Sequence, residues 1–162
     1  MIPTHIIIHH SATRDGKQND WEAICRYHTS WRYQGNIISE TEGRARIANG
    51  IKGVETPWLD IGYHFGLEME AGSYVWKNGR PLTMNGAHCY EQGMNSKAIG
   101  VCVVGDYDKE QLPEAAFALL VFHVSHLLRD YKIPIENVRR HSDYANYKSC
   151  PGKLFPWVRF IS

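Results

Sequence analysis

The chain has 162 residues, enough for one domain that buries about two-thirds of its unfolded surface. Its net charge of +1 gives no global field toward nucleic acid or an anionic membrane. No apolar run approaches the length of a membrane span, and the first predicted strand follows Met1 too closely for a secretory signal. We therefore expect a monomer without a membrane anchor, made in the cytoplasm, whose function resides in a local site.

The first predicted element is a buried strand over residues 6–9, because consecutive β-branched residues suit burial on both faces of a sheet. The histidine pair His9 and His10 then lies at its carboxyl end, in the motif IIIHHSAT. Residues 20–32 follow with apolar side chains at helical spacing, and Asn19 or Asp20 can cap this helix.

The segment over residues 34–55 is rich in glycine, asparagine and charge, and we interpret it as a long surface insertion. A short helical turn is predicted at residues 44–48. A solvated loop without function is an equal alternative, since surface loops tolerate added length.

The sequence predicts several strands in the middle of the chain, between residues 63 and 104. Alternation over residues 63–69 predicts a strand with Tyr63, Phe65, Leu67 and Met69 on one face. A hairpin partner at residues 74–76 and the turn signal at residues 78–79 favour a β meander. The apolar run at residues 99–104 predicts another buried strand.

Pro113 begins a long predicted helix with a wide apolar face, and Pro134 ends it. Residues 138–140 predict a short strand, and residues 152–160 a closing helix with Trp157 and Phe160 turned inward. The order of elements indicates one α/β domain over residues 1–162, with a central mixed β-sheet flanked by helices.

The stretch HSDYANYKSCPG, residues 141–152, concentrates more polar chemistry than an ordinary loop. Zinc takes imidazole nitrogen and thiolate sulfur, and a catalytic zinc keeps three protein ligands and an open position. His141 and Cys150 can supply two ligands, and the pair His9 and His10 is the best source of the third. Taken alone, the stretch with His141 and Cys150 and the stretch with His9 and His10 are each more often structural. Short motifs match by chance, and a cysteine before proline is commonly a small buried hydrophobe.

Four cysteines are spread widely along the chain: Cys25, Cys89, Cys102 and Cys150. A disulfide framework is improbable at this number and spacing, so free thiols in a reducing compartment are the simpler interpretation. A bridge between Cys89 and Cys102 stays open from the sequence.

The sequence resembles the zinc-dependent N-acetylmuramoyl-L-alanine amidases, which include the T-odd bacteriophage lysozymes and the peptidoglycan recognition proteins. The matching stretches are IIIHHSAT, WLDIGYHF, NGAHCYEQGMNSKAIGVCVVGDY and RRHSDYANYKSCPG, in family order across nearly the whole chain. The resemblance implies a zinc ion (Zn2+) bound by His9, His141 and Cys150, with Tyr63 and Lys148 as catalytic residues.

Other positions are less specific. His64 and His88 match histidines that contact or support the substrate in the phage enzymes, and Asp143 is a candidate for fixing a histidine tautomer. The segment over residues 34–55 departs from the phage lysozymes in its length. That departure affects the expected shape of the substrate groove but not the metal site.

The expected function is hydrolysis of the bond between N-acetylmuramic acid and the L-alanine of the peptidoglycan stem peptide. Zinc lowers the pKa of its bound water toward ~7 and polarises the carbonyl. Tyr63, with an unperturbed pKa near ~10, is expected to orient that water, and Lys148 to stabilise the oxyanion. The expected setting is a phage-type endolysin that reaches the cell wall through a membrane-perforating partner.

Three alternatives are open. A non-hydrolytic peptidoglycan-binding module of the same fold would lack the zinc-binding cysteine, whereas Cys150 is present. A cytosolic wall-recycling amidase would differ in the size of its substrate. A regulatory contact with a polymerase, known for some phage lysozymes of this type, has no specific support in the sequence.

Overall fold

The computed structural model describes residues 1–12 and 20–162. Its strands are β1 (His5–His10), β2 (Trp31–Tyr33), β3 (Asn36–Ile38), β4 (Val54–Glu55), β5 (Phe65–Glu70), β6 (Ser73–Asn78), β7 (Ala98–Val103) and β8 (Val138–Arg140). Its α-helices are α1 (Trp21–His28), α2 (Glu40–Ala48), α3 (Glu114–Tyr131) and α4 (Trp157–Phe160). Short 3-10 helices lie at Glu91–Ser96, Ile135–Asn137 and His141–Asp143. Within these two ranges, no helix has both the length and the apolar character that a membrane crossing requires.

The central sheet has the strand order β6-β5-β7-β1-β8. β1 pairs in parallel with both β7 and β8, β5 pairs in parallel with β7, and only β5 and β6 are antiparallel. The predicted mixed sheet and the β5–β6 hairpin are therefore confirmed. The predicted meander is wrong, because the strand that follows the hairpin in the chain, β7, joins the other edge of β5 in parallel.

The two faces of this sheet differ in composition. On one face, Ile6 and Ile8 of β1 and Val101 of β7 pack with Leu120 of α3 in the main apolar core. This confirms the long predicted helix, with Pro113 as the residue before its first turn. Because side chains alternate along a strand, Ile7 and its neighbour His9 point to the opposite face.

Helix α1 is shorter than predicted. Its start is capped by the Asp20 carboxylate, which accepts from the backbone N–H of Ala23 at 2.7 Å. The alternative cap Asn19 lies outside the described residues, as does Thr13 of the first motif. The helix ends at His28, where both the backbone N–H and the hydroxyl of Thr29 donate to the carbonyl oxygen of Cys25. The prediction of helix to residue 32 is therefore wrong.

Residues 31–55 form a small substructure, so the segment over residues 34–55, which we interpreted as a long surface insertion, contains regular strands and a helix. β2, β3 and β4 make a separate sheet in the order β3-β2-β4. Gln34 and Gly35 have φ of 50° and 79°, which closes the tight turn between β2 and β3. Helix α2 begins before the predicted turn at residues 44–48, because the Ser39 hydroxyl accepts from the N–H of Glu42 at 3.1 Å.

A buried arginine ties this small sheet to α1. Arg32 is only 1% exposed, and its guanidinium lies 4.9 Å from the ring centre of Tyr27 and 4.8 Å from that of Trp58. The same group pairs with the Glu55 carboxylate at 2.9 Å. Glu55 and Trp58 are thereby held beside the end of α1.

Two boundaries differ from the predictions. β5 begins at Phe65, so Tyr63 precedes the strand and leaves the apolar face that the alternation assigned to it. The closing helix α4 is a single turn, because Gly152 has φ of 111° and Pro156 stands immediately before the turn. Phe160 is nevertheless buried in the main core, with Trp157 packed against it.

Candidate metal centre and catalytic cleft

Three metal-binding side chains meet at the carboxyl ends of neighbouring parallel strands. His9 lies near the end of β1, His141 directly follows β8, and Cys150 returns on the loop after it. Their candidate ligand atoms all lie within 4.8 Å of one another, and His9 Nδ1 is 4.0 Å from Cys150 Sγ. The structure thus brings together the trio that the sequence predicted, from opposite ends of the chain.

The chemistry of this donor set fits a zinc-type ion. Burial, followed by the neighbouring charge of His88, lowers the pKa of His9 well below its usual value, so its imidazole is neutral. Burial likewise raises the pKa of Cys150 to about 11 in the metal-free protein. Sγ of Cys150 accepts from the backbone N–H of His10 at 3.3 Å, a bond that a thiolate strengthens. Two neutral imidazoles and a thiol are ligands that a soft dication binds by displacing the thiol proton.

His10, the second histidine of the pair, has a structural role. Its Nδ1 accepts from the backbone N–H of Tyr107 at 3.2 Å, and the two rings stack with their centres 6.3 Å apart. This bond fixes His10 beside the chain segment that follows β7. His9 is therefore the member of the pair that faces the cluster.

His88 lies directly behind His9 and determines which of its nitrogens is free. His88 Nε2 lies 3.2 Å from the carbonyl oxygen of Ala98, which can only accept, so this nitrogen carries the proton. His88 Nδ1 must then accept from His9 Nε2, 3.0 Å away. The lone pair of His9 is left on Nδ1, the nitrogen nearest Cys150.

Two glycines make room for the ring of His88. A Cβ atom on Gly100 of β7 would lie 2.4 Å from Cδ2 of His88, and one on Gly86 would lie 2.5 Å from the same atom. Neither position tolerates a side chain without displacing the imidazole. The glycines of this face therefore position His88 behind His9.

His64 contacts the backbone through both of its ring nitrogens. Its Nδ1 accepts from the backbone N–H of Gly100 at 3.0 Å, and its Nε2 donates to the carbonyl oxygen of Met84 at 3.3 Å. Both ring nitrogens are thus bonded to backbone, and the side chain is buried. These contacts are those of a histidine that supports the local backbone.

Tyr63 lies beside the cluster. Its ring centre is 5.1 Å from that of His9. Burial raises the pKa of Tyr63 well above its usual value, and the neighbouring thiols add to this shift. The phenol therefore stays protonated near neutral pH and acts as a hydrogen-bond donor.

A cleft of about 570 Å³ opens beside His141. Its walls include Trp58, Asn95, Tyr147 and Lys148. Lys148 is exposed, with its ammonium 5.6 Å from the ring centre of Tyr147. Burial lowers the pKa of His141, the Glu91 carboxylate opposes this shift, and the positive charge of Lys148 adds to it. Lys148 is therefore close enough for its charge to act on the cluster.

Asp143, predicted to fix the tautomer of a histidine, bonds to Arg140 instead. The Asp143 carboxylate accepts from the backbone N–H and the guanidinium of Arg140, at 3.0 and 2.9 Å, and so caps the turn that carries His141. The carboxylate beside His141 is that of Glu91, whose Oε2 lies 3.8 Å from Nε2. Glu91 is distant in sequence from His141, and nothing in its spacing pointed to this contact.

All four cysteines of the chain are free thiols, which answers the question left open by the sequence. Cys89 and Cys102 belong to separate buried clusters. No bridge joins them.

Comparisons with known proteins agree with this arrangement. The family model for N-acetylmuramoyl-L-alanine amidases matches residues 1–153. The chain is 36% identical over 110 residues to an endolysin of Enterobacteria phage K11, covering 65% of this chain and 68% of that protein.

Two solved structures share the fold. The endolysin N-acetylmuramoyl-L-alanine amidase LysCS from Clostridium intestinale URNW matches with a TM-score of 0.65 and 22% identity, over 99% of this chain and 82% of that chain. The amidase AmiD from E. coli, in complex with the substrate anhydro-N-acetylmuramic acid-L-Ala-D-gamma-Glu-L-Lys, matches with a TM-score of 0.63 and 17% identity. That match covers 99% of this chain and 56% of AmiD.

Proposed function

Because the chain belongs to the N-acetylmuramoyl-L-alanine amidase family, we propose that it hydrolyses the amide between N-acetylmuramic acid and L-alanine in peptidoglycan, with one zinc ion held by His9, His141 and Cys150. The observation that carries this proposal is the convergence of these three ligand atoms within 4.8 Å. A cysteine and two histidines with an open cleft beside them match a catalytic rather than a closed structural zinc site.

When bound, zinc would supply Lewis acidity toward an amide carbonyl and toward water. The other tasks belong to the protein. The protonated hydroxyl of Tyr63 orients the attacking water by donating a hydrogen bond. Lys148 places a positive charge where the amide oxygen becomes negative during attack. His88 holds His9 with Nδ1 turned toward the cluster, as hydrogen-bonded partners of metal ligands commonly do.

The cleft gives a place for the substrate. Its aromatic walls, Trp58 and Tyr147, offer apolar surface, and Asn95 and Lys148 add polar groups at the edge. The complex of AmiD with a muramyl peptide supports a fragment of this kind as the ligand. We assign the stem peptide and its sugar to this cleft, with the scissile amide toward His141.

The setting that fits best is a phage-type endolysin that acts on the cell wall. The similarity to the endolysin of phage K11 supports this setting over wall recycling. Release onto the wall would depend on a membrane-perforating partner. Rates on intact sacculi and on soluble muropeptides separate the two settings: an endolysin degrades both, whereas a recycling amidase degrades only the soluble fragments.

The reaction is tested directly with purified peptidoglycan. Zinc-loaded protein should release new L-alanine amino termini, protein stripped by a chelator should release none, and added zinc should restore the release. If the zinc-loaded protein binds peptidoglycan but produces no new amino termini, the chain is a binding module and the proposal is wrong.

A further inference from the structure

A second cluster of metal-binding atoms lies next to the first. Candidate ligand atoms of Cys89, Glu91 and His141 lie within 4.8 Å of one another. Cys89 Sγ is 3.5 Å from Glu91 Oε2, and the same oxygen is 3.8 Å from His141 Nε2. Thiolate, carboxylate and imidazole are the three kinds of side chain that bind zinc in proteins.

The loop that carries this second cluster is held in place. Oδ1 of Asn95 accepts from the backbone N–H groups of His88 and Cys89, both at 2.8 Å. Tyr147 donates its hydroxyl hydrogen to Glu91 Oε1 at 2.5 Å, which leaves Oε2 directed at the thiol and the imidazole. Cys89 itself is only 2% exposed. These bonds fix the loop and the Glu91 carboxylate beside Cys89 and His141.

His141 belongs to both clusters. Its Nε2 lies 3.8 Å from Oε2 of Glu91 in the second cluster. A neutral imidazole has one lone pair, so it serves two ions only after losing its ring proton. Two cations bound to the two nitrogens of one ring also repel each other. An ion in the second cluster is thus expected to bind less tightly than one in the first.

We propose that Cys89, Glu91 and His141 form a second, weaker site for zinc or a similar soft dication, and that its occupancy inhibits hydrolysis. Binding of this ion releases two protons to solvent, one from the Cys89 thiol and one from the ring of His141. The shared ring cannot hold ideal geometry toward both ions, and the added charge stands in the wall of the cleft. The inhibitory effect rests on the proposed catalytic role of the first cluster, whereas the binding of the ion does not.

Cobalt(II) distinguishes the two clusters because each contributes one cysteine. Thiolate-to-cobalt charge-transfer absorption is measured during titration of the unsubstituted protein, Cys89→Ala and Cys150→Ala, with metal bound per chain from equilibrium dialysis. We expect two steps for the unsubstituted protein. Cys89→Ala should lose the weaker step and about half of the final absorption per chain, while Cys150→Ala should lose the tighter step. Cys25→Ala is the control and should keep both steps.

The outcomes separate the two assignments. A single step that Cys150→Ala abolishes and Cys89→Ala keeps would overturn the second site and leave the first intact. A single step abolished only by Cys89→Ala would support the second site and refute the first. Cys89→Ser is titrated in parallel, so that a folding defect of one variant does not imitate loss of a ligand.

A kinetic experiment tests the inhibition. Excess zinc should lower the hydrolysis rate of the unsubstituted protein and leave the rate of Cys89→Ala unchanged over the same concentrations. Equal inhibition of both proteins, or inhibition of neither, would refute the regulatory part of the proposal.

Discussion

The two faces of the central sheet use the same strands for different purposes. The face against α3 is made of Ile6, Ile8, Val101 and other apolar residues, and its contribution is stability. The opposite face presents His9, and the absence of a side chain on Gly100 leaves the space for the ring of His88, which bonds to His9. The comparison teaches that stability and chemistry are assigned to alternate residues of one strand, so substitutions on the two faces should have separable effects.

The largest expected effect on the chemical face follows from Cys150→Ala. This change removes one of three ligands, so amide hydrolysis should fall to the level of the metal-stripped protein. Zinc at 100 times its dissociation constant stabilises a folded protein by about 2.7 kcal/mol, and most of that stabilisation should disappear. Unfolding curves with and without zinc, together with the amidase assay, measure both losses. The control Cys25→Ala should change neither the amidase activity nor the stabilisation by zinc. If Cys150→Ala were as active as Cys25→Ala, the metal assignment would be wrong.

Lys148→Ala separates turnover from metal binding. The exposed ammonium is assigned to the oxyanion, and loss of such a group typically lowers kcat by about 100-fold or more. Zinc content should remain unchanged because Lys148 is not a ligand. Steady-state kinetics and elemental analysis on the same preparation test the assignment, with Lys148→Arg retaining part of the rate. An unchanged kcat in Lys148→Ala would remove the residue from the mechanism.

Gly100→Ala tests the space behind the metal ligand. The new methyl group would lie 2.4 Å from the ring of His88, which must move and release Nε2 of His9. Disturbing a hydrogen-bonded partner of a metal ligand commonly weakens metal binding by about 10- to 100-fold. Competition with a chromophoric chelator measures this affinity.

Substitutions at His88 itself provide the matched comparison. His88→Asn keeps an acceptor near the position of Nδ1 and should bind zinc more tightly than His88→Leu, which keeps none. If both variants and Gly100→Ala retained the affinity of the unsubstituted protein, the bond between His88 and His9 would have no role in metal binding.

The apolar face was largely predictable because its signals are local. Consecutive β-branched residues mark β1, an apolar run marks β7, and the 3.6-residue period of apolar side chains marks α3. The small sheet was not predictable, since β4 has only two residues and depends on the long-range pair of Arg32 with Glu55.

The same division holds at the site. Zinc chemistry and the family resemblance together selected His9, His141 and Cys150 from the sequence. The bond from His9 to His88 and the approach of Glu91 to His141 depend on how separate loops fold over the sheet, and no spacing encodes them. Ligand identity is therefore readable from residue type and order, whereas the orientation of each ligand is a property of the tertiary structure.

The smallest expected effect on the chemistry comes from Leu120→Ala on the opposite face. Leu120 of α3 is fully buried in the main apolar core, so its truncation should lower the free energy of unfolding by about 2–5 kcal/mol. Zinc affinity and kcat per folded molecule should stay as they are, because the sheet separates this side chain from His9. Denaturant unfolding and chelator competition measure the two quantities independently. A fall in zinc affinity as large as that of Gly100→Ala would mean that the faces are coupled, and that packing against α3 sets the position of the metal ligands.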